Sequence, residues 1–239
     1  DGPMQYERVF LDGHTGIVLF HYPLAHSVLF RNVYDANNTD AEPGTLARTE
    51  GGALAPQADV NDAYDYLGDT HAFYLSEHNR DSFDGSGAPL NATVRYCDTN
   101  SENCPWNNAS WGGDWMYLGE FNATDDIVAH EFTHAIQHAQ FNLNTVGANA
   151  DTEDGVMGVR GVVEGDAMHS SFAWVYEKLG YLPEEIDWDA IHEERTDNAR
   201  AIASDPEVAL IDSASSFPYA YGFDFMSSAA LSAGLDGRA

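Results

Sequence analysis

Residues 125–141, DDIVAHEFTHAIQHAQF, are the stretch of this 239-residue chain that indicates its fold most clearly. Apolar residues recur there at the three- and four-residue spacing of one buried helix face, which predicts an amphipathic helix. Within it, residues 130–134 have the pattern H-E-x-x-H. Residues four apart on a helix lie one above the other, so His130 and His134 present two imidazoles to one point. The apolar positions are Ile127, Val128, Phe132, Ala135, Ile136 and Ala139.

Two converging imidazoles beside a carboxylate are typical of a zinc hydrolase. Zn²⁺ binds imidazole nitrogen and lowers the pKa of bound water, and Glu131 is placed to move a proton of that water. The alternative is a helix with two exposed or capped histidines. A third ligand distinguishes the two interpretations.

The same helix does not supply that ligand. A metzincin needs Gly and His at the positions that Gln137 and Gln140 occupy, so that class is excluded. His138 lies one turn further along, but three adjacent turns of one helix cannot place three ligands at tetrahedral angles. We interpret His138 as structural.

Glu164, in the segment 161–180, is the candidate third ligand. This segment predicts an apolar helix ended by Gly180. A carboxylate on such a helix is costly to bury unless it is paired or bound to metal. Gly161 and Gly165 flank it, and we expect them to let this helix lie close to the metal helix. The alternative is that Glu164 faces solvent.

Net charge excludes several classes of partner. The chain has 39 acidic and 10 basic residues, a net charge of −29, which argues against binding nucleic acid or anionic membranes. Lys178 is the single lysine. An acidic surface with almost no lysine is typical of halophilic proteins, and an ordinary acidic secreted protein is the alternative. No apolar run is long enough to span a membrane. The sequence gives no oligomeric state.

Several features favour export, although the first residues do not form a signal peptide. Cys97 and Cys104 flank a short polar loop, and a disulfide there fits an oxidising compartment; a metal role is the alternative. Glycosylation sequons begin at Asn37, Asn91, Asn108 and Asn122. We therefore expect a secreted or cell-surface protein.

Periodicity divides the chain into four parts. We expect residues 1–35 to carry a hairpin, 36–58 to be a linker, 59–145 to hold the metal helix, and 146–239 to be mostly helical. His14, His21 and His26 are expected to be strand or turn residues. The segments 141–155 and 181–210 are expected to be loop or polar stretch, and residues from Pro218 to Leu235 a helix.

Residues 6–140 resemble thermolysin-type neutral metalloproteases. The matching segments include VFLDGHTGIVL, VYDANNT, PGTLARTEG, DAYDYLGDTHAFY, HNRDSFDGSG, NNASWGGDWMYLGE and DDIVAHEFTH. The resemblance implies an α+β zincin fold, with a mixed sheet and the HExxH helix in an N-terminal lobe and a mostly helical C-terminal lobe. It also implies that residues 1 to about 50 correspond partly to the end of a propeptide, so an unprocessed precursor is one alternative.

Residues 130–235 resemble other gluzincin peptidases instead, through HEFTHAIQHAQFNL, VVEGDA and PYAYGFDFMSSAAL. Both resemblances imply Glu164 as the third zinc ligand. The gluzincin Y-x-x-G pattern implies Tyr219 as oxyanion donor, with Tyr221 as runner-up and aromatic packing as the alternative. The thermolysin partners of the zinc ligands are absent, since Val163 precedes Glu164 and Met168 stands four residues after it.

The resemblance also implies secondary sites. Asn108, Ala109 and Trp111 match an N-A-x-W segment that binds the substrate backbone, although a glycan on Asn108 would block that role. Asp126 matches a calcium position, with a helix N-terminal cap as the alternative. Thermolysin-like chains also carry a later V-H-x-x-S histidine, which is not found here, and His169 and His192 could replace it as a donor. Asp166 is the nearest carboxylate that could orient a zinc ligand, but we expect it to point away.

The expected function is that of a secreted zinc metallopeptidase acting on peptides or proteins. Zn²⁺ would be held by His130, His134 and Glu164, with Glu131 as general base. Endopeptidase action is favoured over aminopeptidase action, because the aminopeptidase G-x-M-E-N-type amine anchor is not found. The alternative from another class is a non-catalytic zinc-binding module on the same scaffold.

Overall fold

The protein is α+β, as predicted, with a mixed sheet followed by a helical part. A computed structural model describes residues 7–11, 15, 18–23, 28–97, 104–203 and 209–232. The strands are β1 Glu7–Leu11, β2 Val18–Pro23, β3 Arg31–Thr39, β4 Thr45–Thr49, β5 Leu90–Tyr96, β6 Ala109–Trp111 and β7 Met116–Leu118. The helices are α1 Ala58–His78, α2 Asp125–Phe141, α3 Leu143–Ala148, α4 Glu153–Lys178, α5 Trp188–Ala203 and α6 Ala209–Ser232, with a 3₁₀ turn at Pro183–Glu185.

Five strands form the main sheet in the order β4-β3-β5-β7-β6. The β3–β5 and β5–β7 pairs are parallel, whereas β4 and β6 pair antiparallel with their neighbours at the two edges. Helices α1 and α2 share one hydrophobic core with this sheet. It includes Val33, Leu67, Val94, Leu118, Val128 and Phe132. The core fixes α2 relative to edge strand β6.

The N-terminal hairpin prediction is confirmed, because β1 and β2 pair antiparallel. His21 lies in β2. His14 and His26 lie outside the described residues.

The expected linker at 36–58 is wrong for its first part. Strands β3 and β4 occupy much of it, and β3 lies inside the sheet between β4 and β5. The asparagines of this segment did not indicate a strand. In the structure, Asp35 forms an ion pair with Arg95 of β5. Asn37 and Asn38 adopt left-handed backbone conformations, which asparagine tolerates. The division expected after residue 35 therefore falls inside β3.

Two segments expected to be irregular are partly helical. Asn142, in the left-handed conformation, ends α2 and accepts a hydrogen bond from the backbone of Thr145 at the start of α3. Helix α5 lies in the polar stretch and buries Trp188 and Ile191 in a small cluster that Phe223 of α6 completes. That burial comes from tertiary contacts, which the local polarity of the sequence did not indicate.

The expected role of the two glycines in α4 is also wrong. A Cβ on Gly165 would lie 2.2 Å from the backbone of Gly222 in α6, and a Cβ on Gly222 would lie 2.1 Å from the carbonyl oxygen of Gly161. The glycines therefore permit backbone contact between α4 and α6, not close approach of α4 to α2. Gly222 ends the Y-x-x-G pattern, so this contact positions Tyr219 one turn away.

Replacing Gly165 by alanine should lower the free energy of unfolding by about 1–3 kcal/mol, because the added methyl group overlaps backbone that cannot give way. The matched control is Gly158→Ala on the same helix, where a Cβ meets nothing within 4 Å. That change should raise stability by about 0.5–1 kcal/mol through helix propensity. Urea denaturation measures both, and equal effects of the two changes would contradict the assigned contact.

Candidate active site

Three ligand atoms from two helices meet at one point. His130 Nε2 lies 3.0 Å from His134 Nε2, and Glu164 Oε2 lies 3.1 Å and 3.3 Å from these two nitrogens. Both histidines come from α2, one turn apart, and Glu164 comes from α4 packed beside it. Among the described residues, these three form the one group of three or more His, Cys, Asp or Glu side chains arranged to hold a metal ion.

The chemistry and spacing of these atoms fit zinc. A tetrahedral ion with ligand bonds of about 2.0–2.1 Å separates its ligands by about 3.3 Å, close to the distances between these three atoms. Each atom has a lone pair to offer, and three electron-rich atoms this close are stabilised by a cation between them. Two histidines and one glutamate also leave a coordination position open, as catalytic zinc sites do.

The charges of the cluster point the same way. Burial alone would raise the pKa of Glu164, but hydrogen bonds with His130 and His134 outweigh it and hold the pKa at about 2. Burial alone would lower the pKa of His134, but Glu164 and Glu131 raise it to about 8. Both shifts show that the carboxylates favour positive charge at this position.

Glu131 faces the same cleft from α2. It is 6% exposed, and burial raises the pKa of its carboxyl group, opposed by His134 and His130. The backbone N–H of Trp111 in β6 donates a hydrogen bond to its carboxylate. Its Oε2 is buried without a hydrogen-bond partner among the described residues. The hydrogen bond from β6 thus holds the carboxylate in place, while Oε2 has no partner among the described residues.

Tyr219 and Tyr221 occupy different surroundings. The ring of Tyr219 lies 6.3 Å from that of His130, and its hydroxyl donates a hydrogen bond to Glu164. Burial raises the pKa of Tyr219 to about 12, with Glu164 and Glu131 adding to the rise. Tyr221 stacks on Phe217 instead. Of the two tyrosines, the structure brings Tyr219 to the cluster.

A cleft of about 810 Å³ runs between β6 and the helices and contains all three ligand atoms. Asn108, Ala109 and Trp111 line it along β6, which is an edge strand of the sheet. Asn108 is exposed, so the sequon remains open there. Asn122 is buried and donates hydrogen bonds to the Trp106 and Glu120 carbonyls, so its sequon is inaccessible in the folded protein.

The histidines considered as replacement donors lie elsewhere. His169 is buried against Trp188 and contacts Ser227 Oγ at 3.0 Å, and His192 pairs with Asp224 at 3.1 Å. Neither lines the cleft. Both belong to the packing of α4, α5 and α6.

Asp126 lines the cleft but belongs to no group of potential metal ligands among the described residues. The N-cap of α2 is Thr124, so the alternative interpretation of Asp126 as the cap is wrong by two residues. Thr124 Oγ1 donates a hydrogen bond of 2.6 Å to Asp126. Asp126 nonetheless lies in an acidic first turn of α2, where negative charge stabilises the positive end of the helix dipole.

Sequence reasoning missed two side chains near the cluster. Gln137 Oε1 lies 2.8 Å from His134 Nδ1, and Gln137 Nε2 donates a hydrogen bond of 2.7 Å to Asp166 Oδ2. In keeping with the expectation that Asp166 points away, its side chain does not line the cleft and instead accepts a hydrogen bond from Gln137. Arg195 of α5 lines the cleft above the ring of Phe172. Gln137 had a local signal, its position one turn after His134; Arg195 had none.

Comparison with known proteins places the first half of the chain. The family described as thermolysin metallopeptidase, catalytic domain, matches residues 21–138. A zinc metalloproteinase of Renibacterium salmoninarum is 34% identical over 146 residues, which cover 52% of this chain and 27% of the relative. A bacillolysin of Brevibacillus brevis is 32% identical over 153 residues, which cover 52% of this chain and 27% of the relative. The chain thus spans less than a third of the length of these curated relatives.

A solved structure extends the likeness in fold. The precursor of protealysin, a metalloproteinase from Serratia proteamaculans, matches 69% of this chain and 48% of its own with a TM-score of 0.52 and 24% identity. His130, Glu131, His134 and the β6 residues lie inside the family match, whereas Glu164 and Tyr219 lie beyond it. The part of the chain that carries the metal helix is thus similar to the catalytic domain of thermolysin-type metallopeptidases.

Proposed function

We propose that this protein is a zinc-dependent metallopeptidase that cleaves peptide bonds in peptides or proteins. The observation that carries the proposal is the meeting of His130 Nε2, His134 Nε2 and Glu164 Oε2 beside the unpartnered oxygen of Glu131. The names of the relatives, all proteolytic enzymes, favour this over a non-catalytic zinc module. His130, His134 and Glu164 would hold the ion.

Zn²⁺ bound by these residues supplies a Lewis acid that acidifies water and polarises the scissile carbonyl. Glu131 removes a proton from the attacking water through Oε2 and then delivers it to the nitrogen of the leaving amine. The hydrogen bond from Trp111 keeps the carboxylate oriented for both transfers. Because Glu131 is buried, its proton affinity is higher than that of an exposed carboxylate, which suits a base acting near neutral pH.

Tyr219 is the proposed donor to the oxyanion that forms as water attacks. Its hydroxyl already hydrogen-bonds to Glu164 and therefore lies beside the ligand atoms, where that negative charge develops. Its exposed fraction of 43% leaves the ring accessible from the cleft. The contact of α6 with α4 at Gly222 fixes the helix that carries it.

The substrate backbone would add to the edge strand β6. An extended peptide pairs with a free strand edge through main-chain hydrogen bonds, which place its scissile bond beside α2. Asn108, Ala109 and Trp111 are the proposed contacts. Pairing along a strand recognises internal segments of a chain, which favours an endopeptidase. A glycan on Asn108 would exclude this role.

Export, adaptation to high salt and calcium binding also remain proposals. Cys97 and Cys104 form a disulfide, as in proteins of oxidising compartments, and one relative is named an extracellular metalloprotease, from Pectobacterium carotovorum. Among the helices of the described residues, none combines the length and apolar composition that a membrane crossing demands. Of the ten arginine and lysine side chains of the chain, five pair with carboxylates among the described residues, at Glu50, Asp65, Asp35, Asp69 and Asp197, which leaves an acid-rich surface suited to high salt. Calcium would bind at Asp126.

Replacing Glu164 by alanine should abolish stoichiometric zinc binding, because two histidines alone hold the ion weakly. Atomic absorption after dialysis measures zinc per chain in the variant and in wild type. The control is Glu153→Ala at the exposed start of the same helix, which should retain wild-type zinc. Wild-type zinc in the Glu164 variant would refute the ligand assignment.

Replacing Glu131 by glutamine should leave zinc content unchanged and lower kcat by at least about 100-fold, since general acid–base catalysis contributes about 10²–10⁴-fold. The amide has the shape of the carboxylate but cannot accept the proton. Cleavage of casein and of a quenched peptide, at low and high salt, measures the loss. Wild-type turnover in this variant would exclude the mechanism.

Replacing Tyr219 by phenylalanine should lower kcat by about 10²–10³-fold with little change in KM, because the hydroxyl stabilises charge that develops only in the transition state. Tyr221→Phe, two residues along the same helix, is the matched control and should retain wild-type kinetics. Wild-type kcat and KM in both variants would show that neither hydroxyl is the oxyanion donor.

A further inference from the structure

The zinc ligand His134 has a second hydrogen-bonding atom, and Gln137 faces it. His134 Nδ1 and Gln137 Oε1 lie 2.8 Å apart, on consecutive turns of α2. Gln137 is 5% exposed, so solvent does not compete for its amide. A buried amide must satisfy both its oxygen and its nitrogen within the protein.

The nitrogen of this amide has two partners, and both can only accept. Gln137 Nε2 donates to the Val163 carbonyl oxygen at 3.0 Å and to Asp166 Oδ2 at 2.7 Å, both on α4. The amide nitrogen has two hydrogens, so its donor capacity is used in full. The opposite orientation would place Oε1 against two acceptors and Nε2 against His134. The hydrogen-bond network therefore fixes which atom of Gln137 faces the imidazole.

That orientation determines the tautomer of His134. Because Gln137 Oε1 can only accept, Nδ1 of His134 must carry the hydrogen, and the lone pair of the neutral ring lies on Nε2. Nε2 is the atom that meets His130 and Glu164. Zinc-bound histidines commonly donate their other N–H to a carboxylate or carbonyl. Here the carboxylate of Asp166 is one side chain further away.

We propose that Gln137 and Asp166 form a positioning relay for zinc binding, in which the amide transmits the orienting effect of the Asp166 carboxylate to His134. The relay rests on the proposed zinc function and deepens it. Asp166 polarises the amide, the amide accepts from Nδ1–H, and the imidazole presents Nε2 to the ion with its ring held in one orientation. Val163 directly precedes Glu164 and Met168 stands four residues after it, and their apolar side chains cannot accept a hydrogen bond from a zinc-binding histidine.

The test measures the zinc dissociation constant of the full chain by competition with a chromogenic chelator. Gln137→Met keeps the volume of the side chain but removes the acceptor, and should weaken zinc binding by about 10- to 100-fold. Gln140→Met is the matched control: it makes the same change one turn later, where the exposed residue has no contact with His134, and should bind zinc as wild type does. A wild-type dissociation constant for Gln137→Met, or equal losses in the two variants, overturns the relay.

A second pair of variants keeps the test independent of the folding of Gln137→Met. Asp166→Asn retains an acceptor for Gln137, whereas Asp166→Leu, of similar shape, removes it. Asp166→Leu should bind zinc more weakly than Asp166→Asn, and the double variant Gln137→Met/Asp166→Leu should bind no more weakly than Gln137→Met alone, because both changes interrupt one path. Equal affinities of the two Asp166 variants, or additive losses, contradict the proposal.

A spectroscopic measurement separates positioning from general loss of structure. In ¹⁵N-histidine-labelled, zinc-loaded protein, the Nδ1–H proton of His134 should exchange slowly with water and lose this protection in Asp166→Leu. Unchanged protection would overturn the relay. Wild-type protein that binds no zinc would refute the proposed function itself, whereas tight zinc binding with unaffected variants would refute the relay alone.

Discussion

The contact between α2 and α4 is the constraint on which the rest of the structure depends. It brings Glu164 Oε2 within 3.1 Å of His130 Nε2, although the two residues are 34 positions apart. Removing a carboxylate from water is costly unless a partner compensates, so this packing is stable only with positive charge at the cluster. The buried core under α2 supplies rigidity, and the glycine contact of α4 with α6 determines which side chain covers the cluster.

The two sides of the site differ in kind. Strand β6 and α2 supply main-chain groups and a base that are fixed by a continuous hydrophobic core. Helices α4 and α6 supply Glu164, the hydroxyl of Tyr219 and the carboxylate of Asp166, which meet side chains of α2 through polar contacts between helices. This difference matches the comparisons, in which the recognised family sequence covers residues 21–138 and stops before the second side begins. A metal site can keep its ligand set on such a divergent side, because the ion requires only a few atoms at fixed distances.

Local sequence predicted the elements whose own residues carry the signal. The helical period around His130 predicted α2, Gly180 predicted the end of α4, and alternation predicted the β1–β2 hairpin. Prediction failed where tertiary contacts outweigh local composition. The polar residues of α5 concealed a helix that buries Trp188, and the asparagines of β3 concealed a strand inside the sheet. In both, neighbours distant in sequence supply the stabilising contacts.

The sequence by itself determined that two imidazoles and a carboxylate share one helix, because the spacing of a helix is fixed by its backbone. It also offered Glu164 and Tyr219 as partners by resemblance. Only the tertiary structure decided that Glu164 lies at the histidines, that Tyr219 rather than Tyr221 faces them, and that Gln137 links His134 to Asp166. Such contacts depend on how helices cross, and crossing depends on side-chain volumes at positions far apart in the chain. At Gly165 and Gly222 that volume is zero, which is why α6 reaches the site.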